Sequence, residues 1–587
     1  MNPEILRVGF SPRKVPDDVD HIIIGSGLSG LYLGALLSKA GRKVLVLEQH
    51  YVAGGCTHTF KDKGFEFDTG VHYLGQATIL EALMDFAAGR LGALQMLQLG
   101  AKEGTDVYNE IVIGDRTFHV RPGKETFIRD LLLHFPDEEK GIRSFFREVF
   151  GAVMTLTLLG GKQFMPPWAW HALTKLPGPA RWMIARHVHR TTNEVLAACQ
   201  IRDPTLRALL TCEFGDYGIL PDEGAFCMQA VILFHYIWEG GYYPEGGSDA
   251  FAEALVPGIT QAGGAVLVRA PVSRILVEGN VATGVEVEKK GVVRAKRSII
   301  SAAGVEVTYR KLLDELCVQK AGGPPRSLLE TEQKGSGHHI YCFVGMDGTS
   351  EELNLPTYNL WNFPCAAGAE PDVGKIWQEV ASPDVPAFLK DDALAKSAQL
   401  PCIICFPSAK DPQYNSRCPG KSTAVLLTDS RASYFVNAGP TGKRGEEYAK
   451  FKSRYEAAFL NTLCQRFPHL RAKISYVDVA TPLSNDHYLG RVGSYGLDHS
   501  ISRLLDTGLR IDVPGIRGLY LTGQDMYACG IFTQPMVAWM TFGKVMGFAH
   551  PRFWILLLRA SFAVAWRMLF RPKMKSTQLE QLLWLLP

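Results

Sequence analysis

The sequence predicts an α/β fold headed by a parallel sheet, on three observations made within its first fifty residues. The apolar triplet Ile22, Ile23 and Ile24 stands directly before Gly25, Gly27 and Gly30. A helix-length stretch follows and stops at Gly41. A second apolar run from Lys43 then closes on Glu48. Strands of a parallel sheet are covered on both faces and read as continuous apolar runs. Strand, glycine turn, helix, strand and acid in that order make a Rossmann-type βαβ unit.

Each part of the unit has a physical task. Gly25 permits the tight turn, Gly27 lets backbone approach a pyrophosphate, and Gly30 lets helix and strand pack closely, with Ser26 between them on the same loop. Phosphate oxygens are expected on the N–H groups at the helix start, where the helix dipole favours an anion. The helix is predicted over 28–40, with Gly41 suited to end it. Glu48 lies 18 positions beyond Gly30, where a ribose-binding carboxylate is expected. An acid there accepts the ribose hydroxyls and repels a 2′-phosphate, which favours FAD or NAD over NADP. A dinucleotide is the predicted ligand.

Bulk composition narrows the alternatives. A chain of 587 residues exceeds one simple core. Its 47% hydrophobic and 21% charged residues suit a large buried interior. A net charge of +3 is too balanced for a nucleic-acid partner. Cys402 and Cys405 form a CxxC inside an apolar run that reads as a buried strand. A redox pair would instead open a helix, where the thiol pKa falls. His338 and His339 are adjacent in a predicted strand and point to opposite faces, and no zinc spacing is present, so no metal site is expected. The first twenty residues lack the apolar core of a signal peptide, and no run reaches the ~20 apolar residues of a membrane span.

Beyond the acid, Glu48 with Gly54 and Gly55 resembles the E-x5-GG signature of the amine oxidase and phytoene desaturase flavoprotein superfamily. YYPEGGSDAFAEAL, from Tyr242 to Leu255, resembles its central glycine segment, and GLYLTGQDMYACGI, from Gly518, its closing motif. Longer strings are similar to the retinol-saturase branch, the carotenoid and retinoid oxidoreductases, from about residue 20 to 550: LVLEQHYVAGGCTHTF, FEFDTGVHYLG, FHYIWEGGYYPEGGS, FPSAKDP, PLSNDHYL and LYLTGQDMYACG. The resemblance implies FAD, with Gly54 and Gly55 close against diphosphate and flavin and Val272 holding adenine through its backbone. It implies Gly523 and Asp525 near the ribityl chain or pyrophosphate, and the next helix start facing the isoalloxazine. The superfamily often places Arg after the glycine pair. Here Cys56 stands in that position, which removes one positive contact.

The implied reaction is saturation of the C13–C14 double bond of all-trans-retinol to all-trans-13,14-dihydroretinol. Carotenoid isomerases or desaturases share these motifs, and a non-catalytic lipid-binding protein similar to the GDP dissociation inhibitors shares the fold. Reduced flavin delivers a hydride equivalent, while the protein orients the polyene and excludes water. A second proton comes from water or a side chain, and the candidates are His72, Tyr73, His235, Tyr236, His487 and Tyr488. Each also reads as a packed or hydrogen-bonded core residue. Regenerating reduced flavin calls for NAD(P)H or another electron donor, yet no second glycine fingerprint with its acid occurs.

The expected organisation is a discontinuous FAD-binding domain (18–105, 235–310 and 478–550) and an α+β substrate domain (106–234 and 311–477). A membrane-associating tail spans 551–587, beginning in a C-terminal amphipathic helix. In that tail Arg552, Arg559, Arg567 and Arg571 fall within roughly a third of the helical circumference. Mid-segment arginine makes a clean span costly, so the helix is expected to lie in a membrane surface, or else to dock on the protein itself. Trp168, Trp170 and Trp182, interleaved with Lys162, Arg181 and Arg186, read as a second lipid interface or as a lid over the core. The resemblance implies association with the endoplasmic reticulum membrane, peripheral or C-terminally anchored.

Overall fold

The computed structural model describes residues 3–334, 338–365, 369–439, 443–491 and 493–570. Its first strand, β1 (His21–Ile24), is buried at every position. It is the middle of a five-stranded sheet with β2 (Val44–Leu47), β3 (Ala265–Leu267), β4 (Ser298–Ser301) and β5 (Leu519–Leu521), in the order β5-β4-β1-β2-β3. Every pairing in it is parallel. The sheet thus joins segments that lie hundreds of residues apart in the chain.

Between β1 and β2 runs α1 (Leu28–Lys39), of which only Lys39 is not buried. Such a helix needs no polar face, because sheet and neighbouring helices cover it all round. Gly41 follows at φ +76° and ends it. α2 (Ala77–Ala88) lies beyond the glycine pair. The other large sheet has seven strands, ordered Ile474–Ala480, His338–Asp347, Lys421–Ser430, Cys402–Cys405, Asn359–Phe363, Asn109–Ile113 and Arg116–Val120. Only Asn359–Phe363 against Asn109–Ile113 pairs in parallel. Both faces of the second of these strands are covered, so His338 and His339 are both buried. The CxxC run is a fully buried strand, Cys402–Cys405. Burial pushes the Cys405 thiol up to about 11 and the Cys402 thiol higher still, the opposite of a redox pair.

Two helices, α3 (Glu139–Gly160) and α4 (Phe226–Glu239), pack together beside this sheet, and their buried faces belong to one aromatic-rich core. α5 (Thr533–Met546) packs against α1, and α6 (Pro551–Phe570) follows it.

Of the two expectations for α6, the described residues show docking on the protein itself, with Phe553, Leu556, Ala560 and Ala563 buried. Arg567 ion-pairs with Glu81 and Asp85 of α2 at 2.7 and 2.8 Å, and both carboxylates are almost wholly buried. Arg552 donates to the carbonyl of Ala40. The outward stripe is instead Trp554, Ile555, Leu558, Phe562, Met568 and Leu569. The physical reason is the acidic pair on α2, which would be strongly destabilising in the interior without a cation. Arg571 and the rest of the tail lie outside the described residues. Among the described residues, no helix is long and apolar enough to cross a membrane. Arg567→Met, which strands two buried carboxylates, is expected to lower stability by about 3 kcal/mol. Thermal or denaturant unfolding measures this, and Arg567→Lys should recover part of the loss.

Candidate functional site

One cavity of about 770 Å³ opens at the carboxyl ends of β1, β2, β4 and β5 and continues between α3 and α4. That volume is within the range of cofactor and substrate pockets. Carboxyl ends of parallel strands are where open α/β sheets bind ligands.

The first wall is backbone. Gly25 takes φ +96°, and a Cβ on Gly30 would sit 2.5 Å from the Gly25 carbonyl oxygen. Gly55, at φ +57°, lies so close to the first loop that a Cβ would meet the Gly27 Cα at 2.9 Å. No side chain caps α1 at Gly27, so its first N–H groups are available to an anion. Ser26 ties the wall together from behind without lining the cavity. Its N–H and hydroxyl donate to Glu48 Oε2 at 2.9 and 2.6 Å, and its Oγ accepts from the Gly54 N–H at 3.1 Å. Glu48 Oε1 accepts from the His50 N–H at 2.9 Å. The carboxylate is buried yet lines the cavity, and Oε1, which accepts a single bond, keeps a lone pair for a ribose hydroxyl.

The later segments converge on the same space, where Val272, Gly523 and Asp525 all line the cavity. Asp525 also braces the fold, accepting from the Val305 N–H at 2.8 Å and the Leu497 N–H at 3.1 Å. The glycine pair does not lack a positive neighbour. Arg491 lines the cavity, and its charge acts against the burial that raises the Cys56 thiol. Its Nη2 donates to the Ser494 carbonyl at 3.2 Å. Two buried donors on this lining, Arg491 Nε and Gln524 Nε2, have no protein acceptor. Buried donors are nearly always paired, so these suit a ligand rich in anionic oxygens. The backbone cradle, the fixed acid and the orphan donors fit a dinucleotide. Arg491 had no signal in the sequence, because only the fold brings PLSNDHYLGR beside Cys56.

At the inner end, the rings of Tyr73 and Tyr236 stack at 4.5 Å and 10°. Both hydroxyls donate to Asp216 Oδ2, at 3.2 and 3.1 Å. Behind them Asn109 Nδ2 donates to Glu213 at 3.0 Å and approaches the Tyr73 hydroxyl at 3.5 Å. Asp216 lines the cavity, and burial pushes its carboxyl up to about 6. Burial and the Asp216 charge push Glu213 up to about 8. Neither acid was predicted, since CEFGDYG carries no recognisable motif.

The other candidates separate by position. His72 lines the cavity with both ring nitrogens unpartnered. Burial, and then the Lys410 charge, lowers it to about 3. His235 is lowered to about 3 by burial. Its Nε2 accepts from the Gly75 N–H at 2.7 Å, which leaves the proton on Nδ1, 3.3 Å from Gln76 Oε1. Tyr488 is exposed at the cavity mouth. His487 does not belong to the site. It is exposed on helix Pro482–Leu489 and is absent from the cavity lining, because adjacent helical residues point about 100° apart.

Residues 23–88 match the family model of NAD(P)-binding Rossmann-like domains. The chain is 34% identical over 565 residues to all-trans-retinol 13,14-reductase of Danio rerio, covering 92% of this chain and 88% of that protein. It is 28% identical to prolycopene isomerase 1, chloroplastic, of an Oncidium hybrid cultivar, covering 87% and 81% of the two chains. Among solved structures, an oxidoreductase from Methanosarcina mazei superposes with a TM-score of 0.53 at 16% identity, covering 90% of this chain and all of that one. That last likeness is one of fold.

Glu48→Ala removes the acceptor that fixes Ser26 and lines the cavity. It is expected to weaken dinucleotide binding by roughly tenfold or more, read as flavin absorbance retained after dialysis.

Proposed function

The chain belongs to the all-trans-retinol 13,14-reductase family, and on that premise we propose that it uses FAD to saturate the C13–C14 double bond of all-trans-retinol, giving all-trans-13,14-dihydroretinol. The observation that carries this reading is a cavity that joins a backbone-walled dinucleotide slot to an apolar arm. When bound and reduced, FAD supplies a hydride equivalent. Gly25, Gly27 and Gly30 admit its diphosphate to the start of α1, and Glu48 accepts from the ribose. Arg491 offsets phosphate charge, and Gly54, Gly55, Val272, Gly523 and Asp525 complete the slot. The arm is lined by Val153 and Leu156 of α3 and Val231, Ile232 and Phe234 of α4. Such a lining holds a polyene by burial alone and excludes water from the reacting bond.

NAD(P)H is the proposed source of electrons. With one dinucleotide slot assigned to FAD, the nicotinamide would dock only transiently. A lipid surface, by resemblance that of the endoplasmic reticulum, is the proposed source of the substrate. The apolar stripe of α6 and the exposed Trp168 and Trp182 support it. Phe164 and Phe548 bring these two regions together, with rings 5.1 Å apart. Apolar side chains in a continuous exposed patch mark an interaction surface.

A carotenoid isomerase is the second reading, favoured by the likeness to prolycopene isomerase. The reduced holoprotein, incubated anaerobically with all-trans-retinol, is expected to form dihydroretinol. Unchanged retinol beside cis–trans conversion of a carotenoid would replace the reductase reading with the isomerase one, and a purified protein without flavin absorbance would favour a lipid-binding role. Leu558→Glu together with Phe562→Glu should weaken cosedimentation with phospholipid vesicles and leave flavin content unchanged.

A further inference from the structure

Saturating a carbon–carbon double bond needs a proton as well as a hydride. In a dry cavity that proton must come from a group that faces the substrate, holds a proton near neutral pH and can bear the charge left behind. Most cavity residues fail one of these requirements. Neutral His72 and His235 would have to become imidazolates. Tyr73 and Tyr236 are weaker acids still, since burial and the nearby Asp216 raise both well above the ordinary tyrosine value. The Nε2 of His339 meets the Tyr495 hydroxyl at 3.2 Å and its Nδ1 lies 2.6 Å from Asp429, so both nitrogens face protein groups. Glu213 does not line the cavity.

Asp216 comes nearest to meeting all three, keeping its proton into the weakly acidic range. It lines the cavity, and its Oδ2 already receives two tyrosine hydroxyls at 3.2 and 3.1 Å. Those bonds stabilise the carboxylate formed when a proton leaves. Resting on the reductase reading above, we propose that Asp216 is the general acid of the reaction, with Tyr73 and Tyr236 as the positioning residues that receive its charge. One alkene carbon takes the hydride equivalent from reduced flavin, and the π electron pair at the other carbon takes the Asp216 proton. Two C–H bonds form and the π bond is lost. The alkene gains two electrons, the flavin loses two, and the carboxylate is reprotonated from water before the next turnover.

The charged and titratable groups that face Asp216 are Tyr73, Tyr236, Glu213, His339, Tyr495, Cys212, Cys405 and Cys529. With burial as the largest effect, the carboxyl is raised to about 6. Its neutral form therefore predominates below that value and is lost as pH rises through it.

The test compares wild type, Asp216→Asn and Tyr236→Phe as flavin-loaded proteins, reduced anaerobically and given all-trans-retinol. Asp216→Asn keeps an acceptor for the tyrosines but has no transferable proton. It is expected to lower the saturation step about 100-fold, with flavin content and photoreduction unchanged. It should also remove one carboxylic-acid carbonyl contribution from the infrared difference spectrum, leaving that of Glu213. Tyr236→Phe removes one donor to the carboxylate and is expected to shift the falling limb of the rate–pH profile upward, which a purely structural role would not do. That shift decides the matter if Asp216→Asn does not fold. Wild-type product with an unchanged Asp216→Asn rate, or with a raised KM at constant kcat, overturns the assignment and leaves the reductase reading intact. No dihydroretinol from the wild type overturns both.

Discussion

The structure depends on the pair of hydrogen bonds by which Glu48 holds Ser26. Through them the carboxylate at the end of β2 fixes the glycine loop after β1, and Ser26 Oγ passes the constraint on to Gly54. Three chain segments are thereby set at fixed distance around a slot walled by main chain. A charged acceptor in a buried site makes stronger bonds than a neutral one, and here it both braces the loop and faces the ligand. The economy has a consequence for variants: damage to Glu48 alters loop geometry and cavity lining together, so the two losses do not add as independent terms.

The cavity changes character along its length. Near the sheet it is polar and rich in N–H donors, whereas between α3 and α4 it is lined by Val, Leu, Ile and Phe. At the junction stand two stacked tyrosines over one acid. Burial raises every titratable member of that cluster toward its neutral form, so below about pH 6 the polar floor presents little net charge to an apolar ligand. Desolvation opposes charge wherever no compensating partner is present.

Much of this was legible in the sequence, for stated physical reasons. β1, α1, β2 and Glu48 follow from local rules of periodicity and glycine placement, and they fall where the spacing puts them. The segments around Gly54, Val272 and Asp525 were found through resemblance and line one cavity. Residues that act only through tertiary neighbours were not legible. Arg491 takes up the place near Cys56 that the sequence left without a cation, and Asp216 gains its meaning from Tyr73 and Tyr236, far away in the chain. For α6 the sequence left two placements open, a membrane surface or the protein's own. A helical wheel gives the angular spread of arginines but cannot know that Glu81 and Asp85 wait opposite Arg567. His487 was misplaced because a motif string does not say which of its residues turn outward.

The five-stranded sheet draws on residues 21–47, 265–301 and 519–521. A chain made from its N-terminus therefore carries the glycine fingerprint for most of its synthesis without the strands that flank it. β1 gains β4 as a neighbour only after some 300 residues, and the outermost strand only after 521. Contacts so remote in sequence form slowly and leave unpaired strand edges in the meantime. A messenger truncated shortly before β5 would thus yield a polypeptide with an intact nucleotide signature and an unfinished nucleotide pocket.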